Sequence, residues 1–181
     1  MLTQLKQFYA ELDAVAKEIS SRYGDWHPCQ KGCSTCCSHS IFLVSELEAA
    51  YIYSKLESVS KYRRREIAAK ARHNLSAIHQ RVGYGNWPRI VQSVKSETSL
   101  CPLLVDESCS LYEARPSVCR SYGLFIFPEN LGVYGCPKVE TTIKEHLSEG
   151  IQMPSFDWVA KRQAEVLKGR VMPVSAWLEN I

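Results

Sequence analysis

Apolar residues recur every three or four positions from residue 2 to 23. Leu5, Phe8, Leu12, Val15, Ile19 and Tyr23 form one stripe among charged neighbours, which predicts an amphipathic helix. Gly24 stops it, and Pro28 marks a break. The run Ile41-Phe42-Leu43-Val44 reads as a short buried strand. Ser45 follows as a helix N-cap, and Glu48 three residues later completes a capping box. That helix is expected to carry Leu47, Ala50, Tyr51 and Ser54 along one side toward Leu56. A second stripe, Ile67, Ala71, Leu75, Ile78 and Val82, predicts a helix over about residues 60–82, ended by a loop over Gly83–Pro88. Residues 100–137 break the pattern, with short apolar pieces at Leu103–Val105 and Leu124–Phe127 set between Pro102, Pro116 and Pro128. Helices return at 138–149, ended by Gly150, and at 156–168, with Ser155 as N-cap and Gly169 beyond the last turn. There is no internal repeat, and strands alternate with helices too rarely for a doubly wound sheet. The fold class expected is mainly α: a single helical domain over residues 1–181 with short strands and irregular cysteine-rich loops. Residues 29–137 form its core and 138–181 a C-terminal helical arm.

Composition narrows the setting. Hydrophobic residues make up 45% of 181, enough for a real core without disulfide staples. The amino-terminal stretch interleaves charge with apolar residues, so no secretory leader is read there. The apolar runs are far shorter than a membrane span. A cytoplasmic, reducing compartment is the expectation. A net charge of +3 is too mild to argue for nucleic acid. The basic run Lys61-Tyr62-Arg63-Arg64-Arg65 reads as a solvated helix face, with a docking patch for phosphate or a protein partner as the sharper alternative.

The cysteines change the picture most. Cys29, Cys33, Cys36 and Cys37 lie within nine residues, and Cys101, Cys109, Cys119 and Cys136 are spread over a later stretch. In a reducing compartment such a set is a thiolate cage for a metal rather than a disulfide framework. Thiolates are soft ligands that select zinc, cuprous ions or iron–sulfur clusters. Cys33-Ser34-Thr35-Cys36 is a zinc-type knuckle, but the later group has gaps of seven, nine and sixteen residues and no second knuckle. An ordinary zinc ribbon is therefore excluded; a less regular zinc site is not. Cys101-Pro102 and Cys136-Pro137 match the Cys-Pro that closes a bacterial ferredoxin run. Tyr112, Tyr122, Phe125, Phe127 and Tyr134 crowd the second region, and Arg115 and Arg120 are candidates to offset thiolate charge. These features tilt the reading toward an iron–sulfur cluster. Cys29-x3-Cys33-x2-Cys36 also has radical S-adenosylmethionine spacing, but the repeated strand–helix units such enzymes need are missing.

Several segments together are similar to one family: GCSTCC, the helix entry Val44-Ser45-Glu46, CPLLVDESCSLYEARPSVCRSYG, and a final GCP. They resemble the YkgJ-type cysteine-cluster family, named for a CxxCxxCC run and described as chelating zinc or iron. The resemblance spans about residues 29–137, and Cys109-x-Leu-Tyr-x-x-Arg-Pro-x-x-Cys-Arg is its most specific part. It implies Cys33, Cys36, Cys37, Cys101, Cys109, Cys119 and Cys136 as metal ligands, with Cys29 first in the tight run. Three residues separate Cys29 from Cys33 where the family name has two, which sets Cys29 apart. A larger relative is a flagellin lysine N-methylase, so the resemblance also carries an enzymatic alternative, a metal-dependent group-transfer enzyme such as a protein lysine methyltransferase. A structural zinc site in an interaction module is the third reading.

The remaining polar residues add little. His27 and His39 flank the cysteine run as candidate ligands, while His73 and His79 read as exposed on the basic helix. Glu46 suits a helix N-terminus and is a candidate to support the cysteine site. No Ser/His/Asp order, paired catalytic carboxylates or phosphate loop is present, so no reaction can be assigned.

Overall fold

In the computed structural model, which describes residues 1–23, 32–83, 101–130, 132–135 and 137–181, the apolar stripes become helices. The described residues hold eight α-helices, one 3-10 turn and three small two-stranded sheets, so the protein is mainly α. The loop expected over Gly83–Pro88 lies outside the described residues except for Gly83. The chain forms two units, one from residues 1–33 and 116–167, the other from residues 34–115 and 168–181. The last fourteen residues, 168–181, belong to the second unit.

The first unit is organised by α1, Leu2–Tyr23. Its expected stripe packs inward: Leu5, Phe8 and Leu12 are fully buried and Ile19 nearly so. Each such side chain contributes roughly 1.5–3 kcal/mol by leaving water. Two later helices pack on α1: α5, Ser117–Ser121, and α7, Phe156–Val166. Strands β4, Phe125–Phe127, and β5, Gly132–Tyr134, pair antiparallel, with Phe125 opposite Tyr134. Helix α6, Pro137–Ser148, follows β5 and ends before Gly150, which takes φ +87°. The core is aromatic. Phe125 stacks on Trp158 at 6.0 Å, Phe8 meets the same indole edge-on at 6.2 Å, and Tyr134 lies 4.1 Å from Phe156. Ser155 caps α7 by accepting from the Asp157 N–H at 3.1 Å, as its position predicted.

The second unit contains α2, Thr35–His39; β1, Leu43–Ser45; α3, Glu46–Leu56; α4, Lys61–Val82; β6, Val171–Pro173; and α8, Val174–Leu178. Between them come β2, Leu104–Val105, β3, Ser108–Cys109, and a 3-10 turn at Tyr112–Ala114. β1 pairs antiparallel with β6, Val44 opposite Met172. The capping box forms as read: Ser45 Oγ accepts from the Glu48 N–H at 3.3 Å, and Glu48 Oε2 accepts from the Ser45 N–H at 3.1 Å. That box draws Glu48 inside, where it is 1% exposed.

With Glu48 turned inward, the buried side of α3 is Glu48, Ala49, Ile52 and Leu56. The expected stripe of Leu47, Ala50, Tyr51 and Ser54 is therefore wrong in phase: Ala50 and Ser54 face solvent, and Leu47 and Tyr51 are half-buried. On α4 the expected Ile67, Ala71, Leu75 and Ile78 are buried, and Asn74 joins them. The core of this unit runs through Val44, Ile52, Ile67, Leu103, Leu111 and Leu178, with Cys101 and Cys109 packed at its margin.

Candidate metal centre

Two short segments carry four cysteines of the second unit, Cys36, Cys37, Cys101 and Cys109. The first is α2, a single helical turn after Ser34. Its adjacent Cys36 and Cys37 hold their Sγ atoms 4.0 Å apart, a hydrogen-bonding distance for thiols. The second begins at Cys101, whose N–H donates to the Cys37 carbonyl at 2.8 Å. That bond ties the early cysteine pair to the later stretch. Pro102 then sits in a turn closed by the Leu104 N–H on the Cys101 carbonyl, at 3.0 Å. The β2–β3 hairpin reverses the chain through Asp106 and Glu107, at φ +48° and +59°. It sets Cys109 opposite Leu104. Ser110 locks the return by donating both its N–H (2.9 Å) and its Oγ–H (3.0 Å) to the Leu103 carbonyl.

The electrostatics of these thiols are coupled. The Cys37 thiol is pushed up to about 12. Its hydrogen bond with the Cys101 thiol is the main cause; the Cys36 bond opposes it, while burial and the nearby Cys101 and Cys109 sulfurs add to it. Burial pushes the Cys109 thiol up, and the Cys36 sulfur adds to that; the Leu111 N–H and the Arg115 guanidinium pull the other way. Arg115 is held for that role. Its Nε donates to the Tyr112 carbonyl at 3.0 Å and its guanidinium lies 3.6 Å above the Tyr112 ring. The sequence held the signal for this clamp, a tyrosine three residues before an arginine, but it is not distinctive alone. Cys101 also lines a small cavity with Ser40, Ile41, Phe42, Asn74, Ile78, Val174 and Ser175.

The donor set suits a soft metal. None of the six described cysteines is in a disulfide. A tetrahedral ion with sulfur ligands at about 2.3 Å places those sulfurs about 3.8 Å from one another. The Cys36–Cys37 separation of 4.0 Å is close to that. Among the described residues no group of three or more His, Cys, Asp or Glu side chains is placed to hold a metal ion. A thiol must lose its proton to ligate a metal ion.

Of the other sequence candidates, some belong to the first unit and some fall outside the described residues. Cys33 and Cys119 belong to the first unit, both half-buried. Cys29, Cys136 and His27 lie outside the described residues, and of the His39 side chain nothing is described. Arg120, paired with Arg115 in the charge argument, is in the first unit. It bonds Asp13 at 2.7 and 2.5 Å and sits 4.4 Å over the Tyr9 ring. Glu46 braces a strand end by accepting the Arg170 N–H at 3.2 Å. His73 is exposed as expected; His79 is half-buried. Tyr122, Phe125, Phe127 and Tyr134 belong to the first unit's aromatic core.

Fold and thiols together define a mainly α protein that carries a soft-metal donor set. Residues 28–145 match the CxxCxxCC family, whose description reads "Putative zinc- or iron-chelating domain", and the chain belongs to that family. All eight cysteines fall inside the matched span. No curated protein and no solved structure matches the chain. No helix among the described residues is long and apolar enough to cross a membrane.

Proposed function

We propose that this protein binds zinc or iron through cysteine thiolates and that its role follows from the metal it holds. The observation that carries the reading is the second unit's thiol cluster. Soft donors from segments 63 residues apart in sequence are coupled: the Cys101 and Cys109 sulfurs raise the Cys37 thiol, and Cys101 and Cys109 pack at the margin of one core. A cation relieves that conflict, because it replaces the shared protons with positive charge. The family description, zinc or iron chelation, supports the same reading. Zinc would make the site structural or a reservoir. Iron, alone or in an iron–sulfur cluster, would make it redox-active, suited to electron transfer or cluster handling.

The test is anaerobic purification followed by elemental and acid-labile sulfide analysis. Stoichiometric zinc with no colour supports a zinc protein, and iron with visible charge-transfer absorption supports an iron protein. Protein that carries no metal and takes up neither ion on titration removes the reading.

A further inference from the structure

We propose that the exposed face of α4 docks an acidic segment of a partner protein, whose carboxylates pair with Lys61, Arg65 and Arg72. No cysteine takes part, so the surface is independent of the metal reading. Charge is concentrated on this helix. It carries seven of the chain's 22 Lys and Arg but only one, Glu66, of its 19 Asp and Glu. That is a net +6 on a chain whose total is +3, so the remainder sums to −3. Helix stability does not explain the run. The first turn holds no acidic residue, and its cations stand against the positive end of the helix dipole.

Helical geometry puts Lys61, Arg65 and Arg72 within about 40° of one another around the axis and about 16 Å along it. All three are exposed, and Ala69 and Ser76 on the same face are exposed and small. Of the cations from Lys61 to Arg72, only Arg63 is in an ion pair among the described residues, with Glu66 at 2.8 Å. Arg72 is anchored without losing its charge. One N–H donates to the Glu179 backbone carbonyl at 2.7 Å, which leaves the rest of the fork for a carboxylate. Tyr62 borders the row and is 72% exposed, and Tyr beside Arg is the composition that protein interfaces favour. Charge complementarity calls for an anion, and the extent of the charge selects protein over nucleic acid. Nucleic-acid-binding domains have pI above about 9, whereas this chain has a pI of about 8.4 and is net negative outside α4. A short acidic segment matches one row of three cations; a long polyanion needs more.

The experiment follows fluorescence anisotropy of labelled probes titrated with the full chain, as purified under reducing conditions, at low salt. One probe is a helical peptide with glutamates at the i, i+4 and i+11 spacing of the cation row. A second has the same composition with those glutamates on different faces. A DNA duplex and phosphatidylglycerol vesicles complete the set. The proteins are the wild type, Arg65→Glu, Arg72→Glu and Lys17→Glu; the last makes the same change in net charge at an exposed site on α1. The matched peptide binds wild type about tenfold tighter than the scrambled one, and added salt releases it. Arg65→Glu and Arg72→Glu each weaken it by about tenfold or more, while Lys17→Glu leaves it near the wild-type value. The two peptides on wild type answer the question even if a variant does not fold. Equal binding of the two peptides, binding of neither, or equal weakening by Lys17→Glu overturns the proposal. So does tighter binding of the duplex or the vesicles, or self-association of the chain through the same arginines.

Discussion

Raising the pH on metal-free protein tests the thiol cluster directly. The Cys37 thiol lies at about 12 in the folded chain, against an ordinary 9.0. The hydrogen bond with Cys101 dominates that shift. Above pH 9 the unfolded chain gives up this proton while the folded chain keeps it. The unfolded state then binds fewer protons, and stability falls as pH rises. The contribution is fully present below pH 9 and is lost progressively toward pH 12. The slope is at most about 1.4 kcal/mol per pH unit, so the ceiling between pH 9 and 11 is about 3 kcal/mol. The assay is urea unfolding followed by far-ultraviolet circular dichroism, with strong chelator and reductant present, comparing wild type with Cys37→Ser. Tyrosine and lysine titrate in both proteins and cancel in the difference. The wild type should lose about 2–3 kcal/mol more than the serine variant over that range. Saturating zinc should abolish the difference in slope, since ligated sulfur is ionised throughout. Parallel stability curves for the two metal-free proteins would refute the coupling of these thiols and the geometry behind it.

Three further outcomes follow from particular contacts. Arg115→Gln removes the positive charge beside Cys109 and should weaken zinc binding by up to about tenfold in chelator competition, with helical content unchanged. Gly169 takes φ +85°, and a Cβ there would sit 2.5 Å from Glu46 Oε2 and 2.6 Å from Glu46 Cβ. Gly169→Ala should therefore cost about 1–3 kcal/mol in a thermal melt, and Glu46→Gln should not rescue it because the Cβ clash remains. Phe125 is fully buried against Trp158. Phe125→Ala should cost about 3–5 kcal/mol in urea unfolding and change the near-ultraviolet signal of the indole.

Much of the helical framework was legible because its signals are local. The stripe from Leu5 to Ile19, the Ser45–Glu48 capping box and the glycines at 150 and 169 act over one or two turns, and each stands where the pattern put it. The inward side of α3 was not legible. Its apolar residues fit more than one phase, and the capping box with buried Glu48 chose between them. The β2–β3 hairpin escaped notice because its turn uses Asp106 and Glu107 at positive φ, without the usual Asn-Gly signal.

By itself the sequence determined that this is a mainly helical, cysteine-rich protein of a zinc- or iron-chelating family, because residue type, helical period and motif spacing are properties of neighbours along a chain. Only the tertiary structure decided which sulfurs keep company. It set Arg120 on Asp13 and Arg115 in the neighbourhood of Cys109, and it coupled Cys37 to Cys36, Cys101 and Cys109. The reason is physical: electrostatic coupling falls with distance through space, and distance through space is set by how a core closes rather than by position in the chain.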